Sequence, residues 1–147
     1  MTSWRESASQ QAQDDLDALL DAALGFATQM VEKHGEFYPY AVACTVDGTI
    51  AMIAVERDPA DDHPASADVI ESCVAALREQ RAGLRAAAIV SDVRVRALGG
   101  DAIDVAVEHV EGQAIRVLQP YAKRRFRKDV TFGALRAMEG PRRVWPG

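Results

Sequence analysis

The chain has 147 residues, of which 48% are hydrophobic, and a formal net charge of −5. This length allows one domain with a core that needs neither metal nor disulfide. No stretch approaches the roughly 20 apolar residues that span a bilayer, and the polar, acidic N-terminus lacks the apolar segment of a secretory signal. We therefore expect a cytoplasmic protein with no membrane partner.

The charge is unevenly distributed along the chain. Residues 1–115 hold 8 basic and 20 acidic residues, whereas residues 116–147 hold 9 basic and 2 acidic residues. A basic tail beside an acidic body predicts either that the tail packs on the body or on a second copy, or that it binds a polyanion. Arginine outnumbers lysine 14 to 3, which is typical of a bacterial genome rich in G and C.

A long helix is predicted in the N-terminal region. Residues 3–6 match a capping box, and residues 1–8 are expected to fray. Apolar residues from Leu16 to Val31 recur with helical spacing, and Gly35 is expected to end the helix. The other face is predicted to be a solvated surface, and it carries Asp14, Asp15, Asp17 and Asp21.

A first hairpin is predicted around Asp47-Gly48 within residues 37–55. A two-residue turn there pairs Cys44 with Ala51. Both faces of this hairpin are apolar, so both are expected to be covered. Helices would cover one face, and a partner chain or the C-terminal segment would cover the other, which favours a homodimer.

The middle of the chain predicts a second helix and three more strands. The helix is capped by Ser66 or Asp62, and a strand follows at residues 86–96. A second hairpin then spans residues 101–119, and its apolar pattern selects a three-residue loop with Gly112 in the left-handed conformation.

The predicted fold class is α+β, as one domain over residues 1–147. The element order α-β-β-α-β-β-β predicts a mostly antiparallel sheet of five to six strands with helices mainly on one face. Residues 120–147 are expected to be an irregular basic extension. Within it we predict a short strand at 130–132, two helical turns at 133–139 and an edge strand at 142–145.

Glu108 and His109 are the candidate catalytic residues. They are adjacent on a strand, so their side chains point to opposite faces. A neutral histidine at the end of the sheet is the structural interpretation. The alternative is an enzyme of unrecognised class that uses Glu108 or His109 in a cleft near the turn at residues 110–112.

Three carboxylates, Asp92, Asp104 and Glu108, are predicted to lie on outward faces of adjacent strands, with Arg94 and Arg116 between them. Cross-strand ion pairs account for this pattern. The alternative is a pair of glycosidase-type carboxylates, which needs a cleft and one raised pKa.

No cofactor or metal is expected. Cys44 and Cys73 are predicted to be buried, reduced thiols. The histidines and cysteines lack metal-ligand spacing, and no nucleophile-elbow or nucleotide-binding motif is present.

The tail carries the candidate polyanion-binding residues. Aromatic residues that could stack on bases alternate there with cations that could hold phosphates. Because the whole domain is acidic, nucleic acid is not the expected partner. The candidate residues are Tyr121, Lys123, Arg124, Arg125, Phe126, Arg127 and Lys128.

The sequence is similar to a small bacterial family of α+β proteins with no assigned activity. The similarity lies in Phe-Tyr-Pro-Tyr at 37–40, Asp-Gly at 47–48 and Asp-Ala-Ile-Asp-Val-Ala-Val-Glu-His at 101–109. The element order over residues 10–120 also resembles the roadblock/longin-like and profilin-like interaction folds. The resemblance implies an α+β fold and transfers no functional residue. We therefore expect a non-enzymatic interaction or ligand-binding module that forms a homodimer. The alternatives are the enzyme and the polyanion binder described above.

Overall fold

The computed structural model describes residues 4–55, 65–123 and 129–146, apart from the Leu98 side chain. These residues form three helices, α1 Trp4–Ser7, α2 Gln10–His34 and α3 Ser66–Gln80, and seven strands, β1 Tyr40–Thr45, β2 Ile50–Ile53, β3 Leu84–Val95, β4 Gly100–His109, β5 Ala114–Lys123, β6 Val130–Phe132 and β7 Arg136–Glu139. All pairings are antiparallel, in one sheet ordered β2-β1-β3-β4-β5-β6, with β7 also on β5. The α+β class and the antiparallel sheet are confirmed. Part of the N-terminus that was expected to fray forms α1.

Helix α2 covers one face of the sheet. Ser9 caps its N-terminus, where the Ser9 hydroxyl accepts the Ala12 N–H at 3.0 Å. Gly35 ends the helix at φ 78°, with its N–H donated to the Val31 carbonyl, as predicted. The residues of the predicted capping box at 3–6 lie only partly within the described chain. The apolar stripe of α2 packs on β1, β3, β4 and β5 and consists of Leu16, Leu19, Ala23, Ala27 and Val31.

Helix α3 covers the opposite face. Its buried residues Val69, Cys73 and Leu77 pack on small residues of β1 and β3, and Val144 from the C-terminal segment joins the same cluster. Helices were expected mainly on one face. The longer helix does dominate one face, but α3 and the C-terminal segment cover the other. Both faces of β1 in the first hairpin are therefore covered by this chain itself, whereas Met52 of β2 stays 53% exposed.

The register of the first hairpin differs by one residue from the expected one. Cys44 pairs with Ile50, not with Ala51. The Thr45 N–H donates to the Thr49 carbonyl at 2.9 Å, so the loop has three residues. The predicted two-residue turn is wrong because either register leaves both faces apolar, and the hydrophobic pattern therefore does not choose between them.

Local polar contacts select the observed turn. Gly48 adopts a φ of 90°, a left-handed conformation that glycine adopts without steric cost. The Asp47 carboxylate accepts the Thr45 hydroxyl and the Thr49 N–H. These hydrogen bonds lower the pKa of Asp47, and the bond from the Thr45 hydroxyl contributes most to the shift.

The second hairpin has the predicted register. Val107 pairs with Ile115, and the His109 N–H donates to the Gln113 carbonyl at 2.9 Å. Gly112 has a left-handed φ of 119°, as a three-residue loop of this kind requires.

The C-terminal region is more regular than expected. The predicted strand at 130–132 is present as β6, but the predicted helical turns at 133–139 are wrong, because β7 pairs with β5 there. The register shifts by one residue between β6 and β7, so they form one edge strand interrupted by a bulge. The Pro120 carbonyl accepts the Gly133 N–H at 2.7 Å, so the backbone of Pro120 faces the bulge. Because the bulge interrupts the pairing there, the N–H that proline lacks costs no hydrogen bond of the sheet.

The predicted edge strand at 142–145 is also wrong. These residues form no strand. They cross the α3 face of the sheet, where Val144 is buried, because burial there provides more apolar contact than an exposed edge would.

Candidate functional site

Asp15 is buried at the end of the sheet, which corrects its expected place on a solvated helix face. Its side chain is 8% exposed. One carboxylate oxygen lies 2.9 Å from Arg85 Nη2, and the other lies 2.9 Å from His109 Nε2. The sequence gives no signal for this cluster, since the partners lie 70 and 94 residues away along the chain.

His109 has both ring nitrogens engaged. Its Nδ1 accepts the Glu111 backbone N–H at 3.1 Å, so Nδ1 carries no proton in this network. In this arrangement Nε2 donates its hydrogen to the Asp15 carboxylate. The side chain is 2% exposed. His109 thus lies at the end of the sheet and bonds to groups of the same chain, in the position that the structural interpretation expects.

Cys44 completes this cluster but is not activated as a nucleophile. Its sulfur lies 3.8 Å from both the Asp15 carboxylate and the Arg85 guanidinium. Burial raises the pKa of the Cys44 thiol, and the Asp15 carboxylate raises it further. An activated cysteine needs a base at the sulfur and a lowered pKa. Here the carboxylate lies between thiol and imidazole, so the geometry favours a structural network.

Glu108 lies on the other face of the sheet from His109, as the alternation of a strand requires. Its two carboxylate oxygens accept the Val144 N–H at 2.8 and 3.2 Å. The side chain is 6% exposed. The structure therefore does not bring Glu108 and His109 together on one substrate atom.

The other candidate carboxylates are also separated. Asp92 accepts the Tyr121 hydroxyl at 2.5 Å on the α2 face, whereas Asp104 pairs with Arg116 at 2.6 Å on the α3 face. The expectation that these carboxylates share one face is wrong for Asp92. Burial raises the pKa of Asp92, and the hydrogen bond from Tyr121 opposes this shift.

Two of the candidate polyanion-binding residues have structural roles. Tyr121 is buried, and its hydroxyl donates a hydrogen bond to the Asp92 carboxylate. Lys123 Nζ donates to the Gly35 carbonyl at 3.0 Å, where a cation complements the C-terminal end of α2. The other five candidates, Arg124, Arg125, Phe126, Arg127 and Lys128, lie outside the described residues.

A groove of about 890 Å³ opens beside the second hairpin turn. It is lined by Trp4 and Ser7 of α1, by residues 111–115 and 137–139, and by Arg142. The side-chain oxygen of Gln113 is buried with no hydrogen-bond partner among the described residues. Because this oxygen is buried, a ligand in the groove does not reach it, and an acceptor left without a donor is costly. The sequence could not reveal the groove, because its walls lie over 100 residues apart.

Strand β7 forms one wall of the groove and is an open edge. All four of its residues are exposed, and no described strand lies beyond it. The Gly140 N–H donates inward to the Ala114 carbonyl at 3.0 Å. Because the direction alternates along an antiparallel strand, the backbone groups of Ala137 and Glu139 point outward.

The described residues contain no group of three or more His, Cys, Asp or Glu placed to hold a metal ion. Cys44 and Cys73 are both buried and form no disulfide, as predicted. Within the same residues, no helix is long and apolar enough to cross a membrane. No family model matches the chain, and no curated protein or solved structure shows significant similarity to it.

Proposed function

We propose that the protein is a non-enzymatic interaction module of the cytoplasm, and that it forms a homodimer through the outer edge of β7. The observation that carries this proposal is the open edge itself, with two outward backbone pairs at Ala137 and Glu139. An edge of this kind adds a strand from a partner by main-chain hydrogen bonds. The buried thiols of both cysteines form no disulfide, which fits a reducing compartment.

The edge of β7 is complementary to a second copy of itself. Two identical strands pair antiparallel about a two-fold axis, which makes a closed interface. With Met138 opposite Met138 of the partner subunit, Ala137 faces Glu139 of the partner subunit, and no like charges meet. Met138 is 39% exposed in the single chain, and this pairing would cover it. A four-residue edge is short, so the dimer should be weak, with a dissociation constant on the order of micromolar.

The engagement of the polar groups supports a binding role over catalysis. Asp15, His109 and Glu108 are buried and bonded to groups of the same chain. Catalytic acids and bases need access to a substrate atom at hydrogen-bond distance. The groove beside β7 remains open for side chains of a partner or for a small ligand.

Ala137→Pro tests the proposed dimer. Proline removes the outward N–H of Ala137 and leaves the inward ladder with β5 intact. By the two-fold symmetry the dimer loses two hydrogen bonds, one from each Ala137. We expect native mass spectrometry and sedimentation to show a wild-type dimer that weakens at least about 10-fold in this variant, equivalent to about 1.4 kcal/mol for the two bonds together.

Ala137→Ser is the matched control, because it keeps the N–H and should keep the dimer. A wild-type protein that stays monomeric at high micromolar concentration would overturn the proposal. Equal dimerisation of the proline variant would exclude β7 as the interface. A metabolite or metal retained in the native spectrum would favour the groove as a ligand site and return attention to the enzymatic alternative.

A further inference from the structure

The C-terminal residues 142–146, here named the strap, lie on the α3 face in the manner of a bound peptide. Val144 is 1% exposed and packs in the cluster of α3, β1 and β3, and Trp145 packs at its margin. The strap forms neither helix nor strand. Its position is therefore determined by what it contacts.

Three side chains from outside the strap bind its backbone. Glu108 of β4 accepts the Val144 N–H at 2.8 Å, and Arg81, just after α3, donates to the Val144 carbonyl at 3.1 Å. Arg78 of α3 donates to the Arg143 carbonyl at 2.6 Å. Both polar groups of Val144 and the carbonyl before it are thus bound by side chains, while the Val144 side chain fills an apolar pocket.

Side chains that bind the backbone, together with a pocket for one side chain, are typical of sites that recognise extended peptides. Backbone hydrogen bonds provide affinity for any sequence, and a pocket for a side chain provides selectivity. The Glu108 carboxylate is buried, and a buried charge is costly when it loses its hydrogen-bond partner. Glu108 therefore requires a peptide N–H at this position, from the strap or from a replacement.

We propose that Arg78, Arg81 and Glu108 form a peptide-binding site that the chain's own strap occupies in this structure. Its ligand class is an extended segment in which a valine precedes a tryptophan, and a separate peptide of this kind exchanges with the strap. The two arginines bind backbone carbonyls and Glu108 binds a backbone N–H, so the site recognises the peptide backbone and the valine side chain. This inference does not depend on the β7 edge.

Attachment to the chain protects the strap from competition. A tethered segment acts at an effective concentration in the millimolar range, so a free peptide displaces it poorly. A chain whose strap no longer fits its pocket should therefore bind the free peptide more tightly than the wild-type chain does.

The full-length Val144→Asp variant is such a chain, because an aspartate does not fit the apolar pocket that Val144 fills. The probe is a labelled, N-acetylated peptide with the sequence of residues 141–147, followed by fluorescence anisotropy. We expect Val144→Asp to bind it at least about 10-fold more tightly than the wild-type chain. Leu135→Asp, at an exposed apolar residue between β6 and β7, is the control and should behave as wild type. A second peptide with aspartate at the valine position should not bind.

A second measurement covers the case in which Val144→Asp does not fold. Native mass spectrometry of the wild-type chain with the peptide at millimolar concentration, which matches the effective concentration of the strap, should show a one-to-one complex for the valine peptide and none for the aspartate peptide. If the folded variant and the wild-type chain bind both peptides equally, or bind neither, the strap is only a structural segment and the inference is wrong.

Discussion

At the scale of single residues, Asp15 joins elements that are far apart in the chain. Its carboxylate connects α2 to Arg85 of β3 and His109 of β4. In Asp15→Asn, the partly buried Arg85 guanidinium would lose its counter-charge while the hydrogen bond to His109 could persist. We expect the free energy of unfolding to fall by about 2 kcal/mol, measured by urea denaturation.

The control for this prediction is Asp14→Asn on the exposed side of the same helix. Asp14 contacts Gln10 at the surface, so its substitution should change stability by less than about 0.5 kcal/mol. An Asp15→Asn protein as stable as this control would show that the buried network contributes little.

Asp92 predicts a pH dependence of stability. Burial raises its pKa in the folded protein, so the folded state holds this proton to a higher pH than the unfolded chain does. The free energy of unfolding therefore decreases as the pH rises from about 4, the ordinary pKa of aspartate, through the raised pKa. An asparagine side chain in its place would not ionise and could still accept the Tyr121 hydroxyl.

We accordingly expect Asp92→Asn to gain stability relative to wild type as the pH rises from about 4 to about 7. Urea denaturation of both proteins across this range measures the difference. A difference that does not change with pH would mean that Asp92 ionises as easily in the folded protein as in the unfolded chain.

At the scale of elements, two glycines should respond oppositely to alanine. Gly112 has a φ of 119° in the second hairpin turn, so Gly112→Ala should destabilise the protein by about 1–2 kcal/mol through backbone strain. Gly25 lies inside α2, and an added Cβ there meets no atom within 4 Å. Gly25→Ala should therefore stabilise by about 0.5–1 kcal/mol.

Thermal unfolding of the two glycine variants checks this prediction. The two substitutions add the same methyl group, and at Gly112 it would also lie 3.2 Å from Arg142 Nη2, so their difference combines the backbone conformation with this contact. A loss of stability in Gly25→Ala, or none in Gly112→Ala, would contradict the element boundaries given above.

At the scale of the whole molecule, one sheet contributes residues to two apolar clusters, one on each of its faces. Leu19 of α2 is buried on one face, and Leu77 of α3 is buried on the other. Truncation of either to alanine should cost about 2–5 kcal/mol. Because both clusters share β1 and β3, we expect each variant to shift a single unfolding transition, recorded by calorimetry. Two separate transitions in either variant would mean that the faces unfold independently.

The sequence was sufficient wherever a signal is local. Helical periodicity predicted the buried face of α2, and Gly35 predicted its C-terminal end, but the start of α2 at Ser9 was not predicted. The apolar alternation around Gly112 selected the register of the second hairpin. The same logic failed at Asp47-Gly48, because both registers leave both faces of the hairpin apolar, and the hydrogen bonds of Asp47 select the register instead. Strand alternation also correctly separated Glu108 from His109.

Tertiary structure alone decided the features that depend on distant partners. Nothing in the helical pattern distinguishes Asp15 from Asp14, and the burial of Asp15 follows from the positions of Arg85 and His109 at the end of the sheet. The strap and β7 likewise have weak local patterns, and they take their places because β5 offers an open edge and Glu108 offers a buried acceptor. Local spacing thus determined the class of the protein and its main elements, whereas long-range contacts, which periodicity does not encode, determined where its polar groups and its candidate binding surfaces lie.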